Sequence, residues 1–164
     1  MQNKVTLYVS KLSSLEQYIT ILDNKGREKV QFVEYVIEDV RGERVYVTTD
    51  GLAYTQDSLT FKDQTYLIVE LDQLPEIIAD PDLVIWDPVD QHSETLIYYK
   101  RLFVTQLQEY KLIAAIIKFR REIKFFYNMF VQENGTVKGV SVVPTSEIDL
   151  WYVASRVKKS QFGF

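Results

Sequence analysis

The sequence predicts an α+β fold: an antiparallel β meander, then a short helix or helix pair packed on a second antiparallel sheet. Three observations carry this. Short β-branched and aromatic runs separated by turn residues fill the first 56 positions. A helical stripe of leucine and isoleucine follows within 64–79. Long apolar or alternating runs joined by short turns then occupy 95–143. The 164 residues, 46% hydrophobic and 26% charged, suffice to bury a core and are too apolar for wholesale disorder. The expected division is a β-rich unit over 1–56 and an α+β unit over 57–164, or one domain running through both.

Taken in order, Lys4–Val9 reads as a strand, and Tyr18–Leu22 as the next. The latter runs into Asp23-Asn24-Lys25-Gly26, a turn signature because Asn and Gly tolerate positive φ. Val30–Val40 alternates imperfectly, which suggests a bulge or a strand with two buried sides. Arg41-Gly42-Glu43 is a turn, Arg44–Thr49 a β-branched strand, and Asp50-Gly51 a further hairpin signal.

After Asp57-Ser58 the pattern changes. Leu67, Leu71, Leu74, Ile77 and Ile78 recur at helical spacing across Gln64–Ala79, with Pro75 inside the run. A proline removes a helical hydrogen bond and clashes with the preceding turn, so two short pieces are expected, with Pro75 opening the second. Asp80-Pro81 stops the helix. Strands are then expected at Leu83–Trp86, Thr95–Phe103, Tyr110–Phe119, Ile123–Gln132 and Val137–Val143. Arg120-Arg121-Glu122 and Glu133-Asn134-Gly135 are the turns flanking Ile123–Gln132, and short turns imply antiparallel pairing. The run Leu112–Ile117 is almost unbroken apolar, as in a central strand buried on both faces.

Composition excludes several chemistries. Without cysteine there is no disulfide, no thiolate nucleophile and no zinc site built on sulfur. His92 alone cannot make a two-histidine metal site, and as a general base it would need a partner from elsewhere. Asp80, Asp82, Asp87, Asp90 and Glu94 lie near it, but their spacing fits no calcium loop and Pro81 and Pro88 stiffen the path. No metal and no cofactor are expected. Ser10, Ser13 and Ser14 lack the flanking glycines of a nucleophile elbow, and no glycine-rich phosphate loop is present. No apolar run is long enough to span a membrane, and the N-terminus has no apolar signal core. A cytoplasmic protein without membrane partners is the expectation.

Charge is distributed unevenly. Residues 1–56 carry net −1, residues 57–94 net −9 and residues 95–164 net +6. The acidic stretch is either a solvated face or the internal partner of the basic one. Lys118, Arg120, Arg121 and Lys124 surround one turn, with Lys100 and Arg101 on the neighbouring strand. Such side chains neutralise phosphates, and Tyr98, Tyr99, Phe125, Phe126 and Tyr127 could stack on unpaired bases. The plainer reading is a solvated hairpin tip with core aromatics behind it. Alternation puts Tyr98 with Lys100 on one face and Tyr99 with Arg101 on the other, so only one pair can face a groove.

One ordered series is familiar. Leu74-Pro75-Glu76-Ile77-Ile78 closes a helix, and Asp80-Pro81-Asp82-Leu83-Val84 opens a strand. Leu96-Ile97-Tyr98-Tyr99-Lys100, Ile116-Ile117-Lys118 and the aromatic strand Phe125–Phe130 follow. Residues 60–131 thereby resemble small bacterial and phage domains of the barnase–EndoU–colicin–RelE ribonuclease fold. That resemblance implies a helix on a curved antiparallel sheet whose concave face holds RNA, in a toxin-like, metal-independent protein. It implies Tyr98, Lys100 and Lys118 as the catalytic set. The two lysines would stabilise the phosphate and Tyr98 would orient the nucleophile. Arg101, Arg120, Arg121, Lys124 and Asn128 would contact nucleic acid. The chain departs from the pattern in having no histidine in Gln64–Pro75 and Asn128 where threonine or serine is usual. Hence it is either a nuclease that cuts without histidine or a domain that kept the groove and lost the chemistry. The competing expectation is a non-enzymatic protein-binding module, an accessory or neutralising partner in a phage or mobile-element system. Such a module would pair through an edge strand within Val30–Thr49.

Overall fold

The computed structural model describes residues 8–90, 94–132, 136–137, 140–141 and 150–155. Strands β1 (Val9–Ser10), β2 (Tyr18–Leu22), β3 (Glu28–Glu38) and β4 (Arg44–Thr48) precede helix α1 (Thr49–Phe61). A 3₁₀ stretch, Thr65–Gln73, runs directly into α2 (Leu74–Ala79). Then come β5 (Leu83–Trp86), β6 (Thr95–Val104), β7 (Glu109–Arg120) and β8 (Ile123–Gln132). The short strands β9 (Thr136–Val137) and β10 (Val140–Ser141) pair with each other, and β11 (Leu150–Val153) follows. The fold is α+β.

A nine-stranded sheet in the order β1-β3-β4-β8-β7-β6-β5-β11, with β2 paired to β3, joins the early and late strands. Its pairings are antiparallel apart from β4 with β8, which touch in parallel only at Val45–Lys124 and Tyr46–Phe125. The hairpin expected at Asp50-Gly51 is instead the first turn of α1. Thr48 caps that helix, its Oγ1 accepting the Gly51 amide at 3.0 Å. Gly51 is required there for space: a Cβ would lie 2.8 Å from the Phe126 carbonyl oxygen. Where β4 leaves β8, α1 takes its place along the β8 edge. The Gln64 side chain then accepts the Val131 amide at 3.0 Å, satisfying an edge N–H that no strand meets.

The leucine stripe behaves as its spacing requires, in two pieces with Pro75 in the first turn of α2, where its missing N–H has no helical partner to lose. Leu67, Leu74, Ile77 and Ile78 are fully buried against Leu96, Tyr98, Ala115 and Phe126, one face of the sheet. On the other face Leu83, Ile85, Ile97, Tyr99 and Ala114 are also fully buried. Strand β7 is thus enclosed on both sides, matching its unbroken apolar run. Residues 4–7 of the first expected strand, and most of Val137–Val143, lie outside the described residues. Among the described residues no helix is long and apolar enough to cross a membrane.

Candidate nucleic-acid interface

Strands β7 and β8 meet in a two-residue turn whose central residues, Arg121 and Glu122, have φ of 50° and 66°. Positive φ at both positions matches the right-handed twist of the strands, and here non-glycine residues adopt it. Arg121 pairs with Glu28 at 2.9 Å. Arg120 donates to the Leu22 carbonyl at 2.6 Å and to Asn24 Oδ1 at 2.8 Å, and faces Glu94 at 3.4 Å. The strained turn is therefore held against the β2–β3 hairpin, and Arg120 is a fixed part of the wall.

Register along this hairpin breaks once. Ile116 pairs with Asn128 but Ile117 pairs with Phe126, leaving Tyr127 as the extra residue of a β-bulge. Phe126 and Met129 point to the helix-covered core. The bulge turns the two consecutive residues between them, Tyr127 and Asn128, toward the opposite face, where they line one hollow with Ile116 and Lys118. Strict alternation would have separated them.

Helix α1 supplies the other wall. Tyr54, Ser58 and Lys62 recur every four residues and form one stripe. They meet successive β8 residues: the Tyr54 ring lies 5.1 Å from that of Tyr127, Asn128 Nδ2 donates to Ser58 Oγ at 3.4 Å, and Lys62 stands 4.3 Å over the Phe130 ring. The seam encloses a hollow of about 390 Å³ lined by Tyr54, Lys62, Ile116, Lys118, Tyr127, Asn128 and Phe130. Its polar groups are lysine amines, phenol hydroxyls and an amide. Among the described residues no carboxylate lines it.

Lys118 donates to Thr95 Oγ1 at 3.0 Å and lies 5.0 Å from the centre of the Tyr127 ring. Burial opposes ionisation of the Tyr127 phenol. Hydrogen bonds from Tyr54 and Asn24 and the charges of Lys118 and Arg120 outweigh it, so its pKa falls below the usual value. Tyr54, as the donor to Tyr127, moves the other way. The electrostatics around the Tyr127 oxygen thus favour negative charge.

Two further hollows adjoin this one. Tyr54 and Tyr127 also line a mostly apolar space of about 250 Å³ beside Gln31 and Asp50. Lys118 also borders a polar space with Asp87, Asp90, Glu94 and Arg120. Among the described residues no three carboxylate or imidazole side chains are grouped to hold a metal, and His92 lies outside the described residues.

The residues expected to act together are divided between two faces. Tyr98 and Lys100 face the helix-covered core. The Tyr98 hydroxyl donates to Asp39 at 2.6 Å, and burial and then the Asp39 charge push its pKa up, keeping it protonated. Lys100, also buried, donates to the Asp80 carbonyl at 2.6 Å and pairs with its carboxylate at 3.3 Å. Lys118 is on the opposite face. Lys124 is buried between Asp39, at 3.2 Å, and Glu43. Arg101 is exposed, on the same strand face as Thr95 by alternation. Of the expected set, only Lys118 and Asn128 line the carboxylate-free hollow, and Arg120 borders its neighbours. Tyr54 and Lys62 escaped sequence reading because their helix did; the signal that could have found them was Thr48 as an N-cap followed by the i, i+4, i+8 spacing of Tyr54, Ser58 and Lys62.

No family model matches the chain, and neither the curated proteins nor the solved structures contain a match to it.

Proposed function

We propose that the protein binds single-stranded RNA in the α1–β8 seam. The observation that carries this is the hollow itself. In a chain of net charge −4, it gathers Lys62, Lys118, two tyrosines and Asn128, with no carboxylate among the described residues that line it. Ammonium groups beside aromatic rings suit a phosphate with its neighbouring base, and single strands expose both. Binding without cleavage is favoured over a nuclease, because Tyr98 and Lys100 are engaged on the other face and supply nothing to a strand lying here.

The test is fluorescence anisotropy with a labelled single-stranded RNA across a salt series. Affinity should fall linearly on a log–log plot, and Lys62→Ala and Lys118→Ala should each flatten the slope by about 0.7. No RNA binding, or slopes unchanged in both variants, would overturn the proposal. A second reading, a protein-binding module, is favoured by the ridge of Tyr18, Val30 and Phe32 on the β2–β3 hairpin, which are 59%, 68% and 45% exposed. Association with a protein partner that is insensitive to salt and lost on Phe32→Ser would support it.

A further inference from the structure

We infer that the open edge of β2 docks a second copy of this chain, the two β2 strands pairing antiparallel about a two-fold axis at Ile19. The hydrogen-bond phase of the β2–β3 hairpin sets which backbone groups are open. The Val33 amide donates to the Gln17 carbonyl and the Asp23 amide to the Arg27 carbonyl, both at 2.9 Å. With Tyr18 opposite Phe32, Gln17, Ile19, Ile21 and Asp23 therefore turn their amides and carbonyls toward β3. Tyr18, Thr20 and Leu22 turn theirs outward. The Leu22 carbonyl is met there by Arg120 at 2.6 Å, which closes that end of the edge. Among the described residues no hydrogen bond reaches the outward backbone groups of Tyr18 or Thr20.

Those groups fix the register of a self-pairing. With Tyr18 opposite the partner's Thr20, and Thr20 opposite the partner's Tyr18, every open amide faces an open carbonyl and every open carbonyl an amide. Moving the axis to Thr20 would instead set the partner strand against Arg120. Charge permits the contact. The edge Tyr18–Leu22 has no charge, proline or bulge, the devices that keep edge strands apart, so two copies meet without like charges opposed. The other edge of the hairpin, on β3, is bordered by exposed Glu28, Lys29 and Glu34. Apolar surface follows the same line. Tyr18 is 59% exposed, and Leu15, on the adjoining 3₁₀ turn Ser14–Glu16, is 91% exposed where the partner strand continues. So short an edge buries less than the roughly 1,200 Å² of stable complexes, and the dimer is a weak one.

Sedimentation equilibrium of the full chain over a concentration series tests this. The average mass should rise from 19.3 kDa toward twice that value as concentration increases. Thr20→Pro removes an outward N–H that β3 does not use, and proline is tolerated at such a position of an edge strand, so this variant should stay folded and monomeric. Thr20→Lys puts a charge on the edge without altering the backbone and should weaken association by roughly tenfold. In the unaltered chain, amide hydrogen exchange at Tyr18 and Thr20 should slow as concentration rises, while Ile19 and Ile21 stay protected throughout. A mass of 19.3 kDa at every concentration would refute the inference. So would association that survives both Thr20 variants and is lost on Phe32→Ser, which would place the contact on the exposed face of the hairpin and not on its edge.

Discussion

Asp39 is the residue on which the most elements depend. Its carboxylate is buried and accepts from the Tyr98 hydroxyl, the Lys124 ammonium and the backbone amides of Arg41 and Glu43 at 2.6–3.2 Å. It ties the β3–β4 turn to β6 and β8 at once. Asp39→Ala leaves Lys124 buried with only the half-exposed Glu43, so stability should fall by about 3–5 kcal/mol, read as a lower urea midpoint. Glu16 does similar work at the surface. It accepts from the Arg44 guanidinium at 2.7 and 2.8 Å and from the Tyr46 hydroxyl at 2.7 Å, and these hold its pKa down to about 2. An unfolded chain would bind the proton near the usual 4.5, so between those values the unfolded state holds more protons and stability rises with pH. Stability should therefore decline as pH falls from about 4.5 toward 2, and Glu16→Gln should lower stability at neutral pH and flatten that decline in acid denaturation curves.

Helix α1 is the element on which the site turns, and it is also the element least legible in the sequence. Its buried side chains are only Thr55 and Leu59, and it contains Gly51, three threonines and Ser58, so neither apolar periodicity nor propensity marks it. What holds it is tertiary: the β8 edge that β4 vacates. Gly51→Ala tests this directly. Helix propensity alone would favour alanine by about 1 kcal/mol. The added methyl meets the Phe126 carbonyl at 2.8 Å, backbone that cannot step aside, so the variant should be less stable by about 1–3 kcal/mol, read as a lower thermal midpoint. By contrast Tyr18–Leu22, Leu83–Trp86 and Ile123–Gln132 could be read to the residue, because β-branched and aromatic runs between turn signals have few alternatives. The split of the leucine stripe at Pro75 was equally legible, since a proline constraint is local. The bulge at Tyr127 was not, because it depends on which neighbour β8 pairs with. The same limit applies to the site. Sequence shows that Tyr98 and Lys100 share a face, and the packing of α2 and the 3₁₀ stretch decides that the face is closed.

Across the whole molecule, charge is not sorted by segment as the sequence bookkeeping suggests. Much of the basic second half is spent on internal partners: Lys100 on Asp80, Lys124 on Asp39 and Glu43, Arg120 on Glu94, Arg121 on Glu28. The net +6 of residues 95–164 therefore overstates the field offered to a polyanion. At the α1–β8 seam Lys118 and Lys62, the single basic residue of the acidic stretch, line the same hollow. The two halves of the chain thus contribute one wall each to the same hollow.

Ultraviolet cross-linking of a uridine-containing single strand to the protein, with the modified peptides mapped by mass spectrometry, tests the location of binding most directly. Adducts should fall on the peptides carrying Tyr54 or Tyr127 and should vanish in the Lys62→Ala, Lys118→Ala double variant. Adducts confined to Tyr18 on the β2–β3 ridge or Tyr110 on the β6–β7 hairpin, with the seam unmodified, would contradict it.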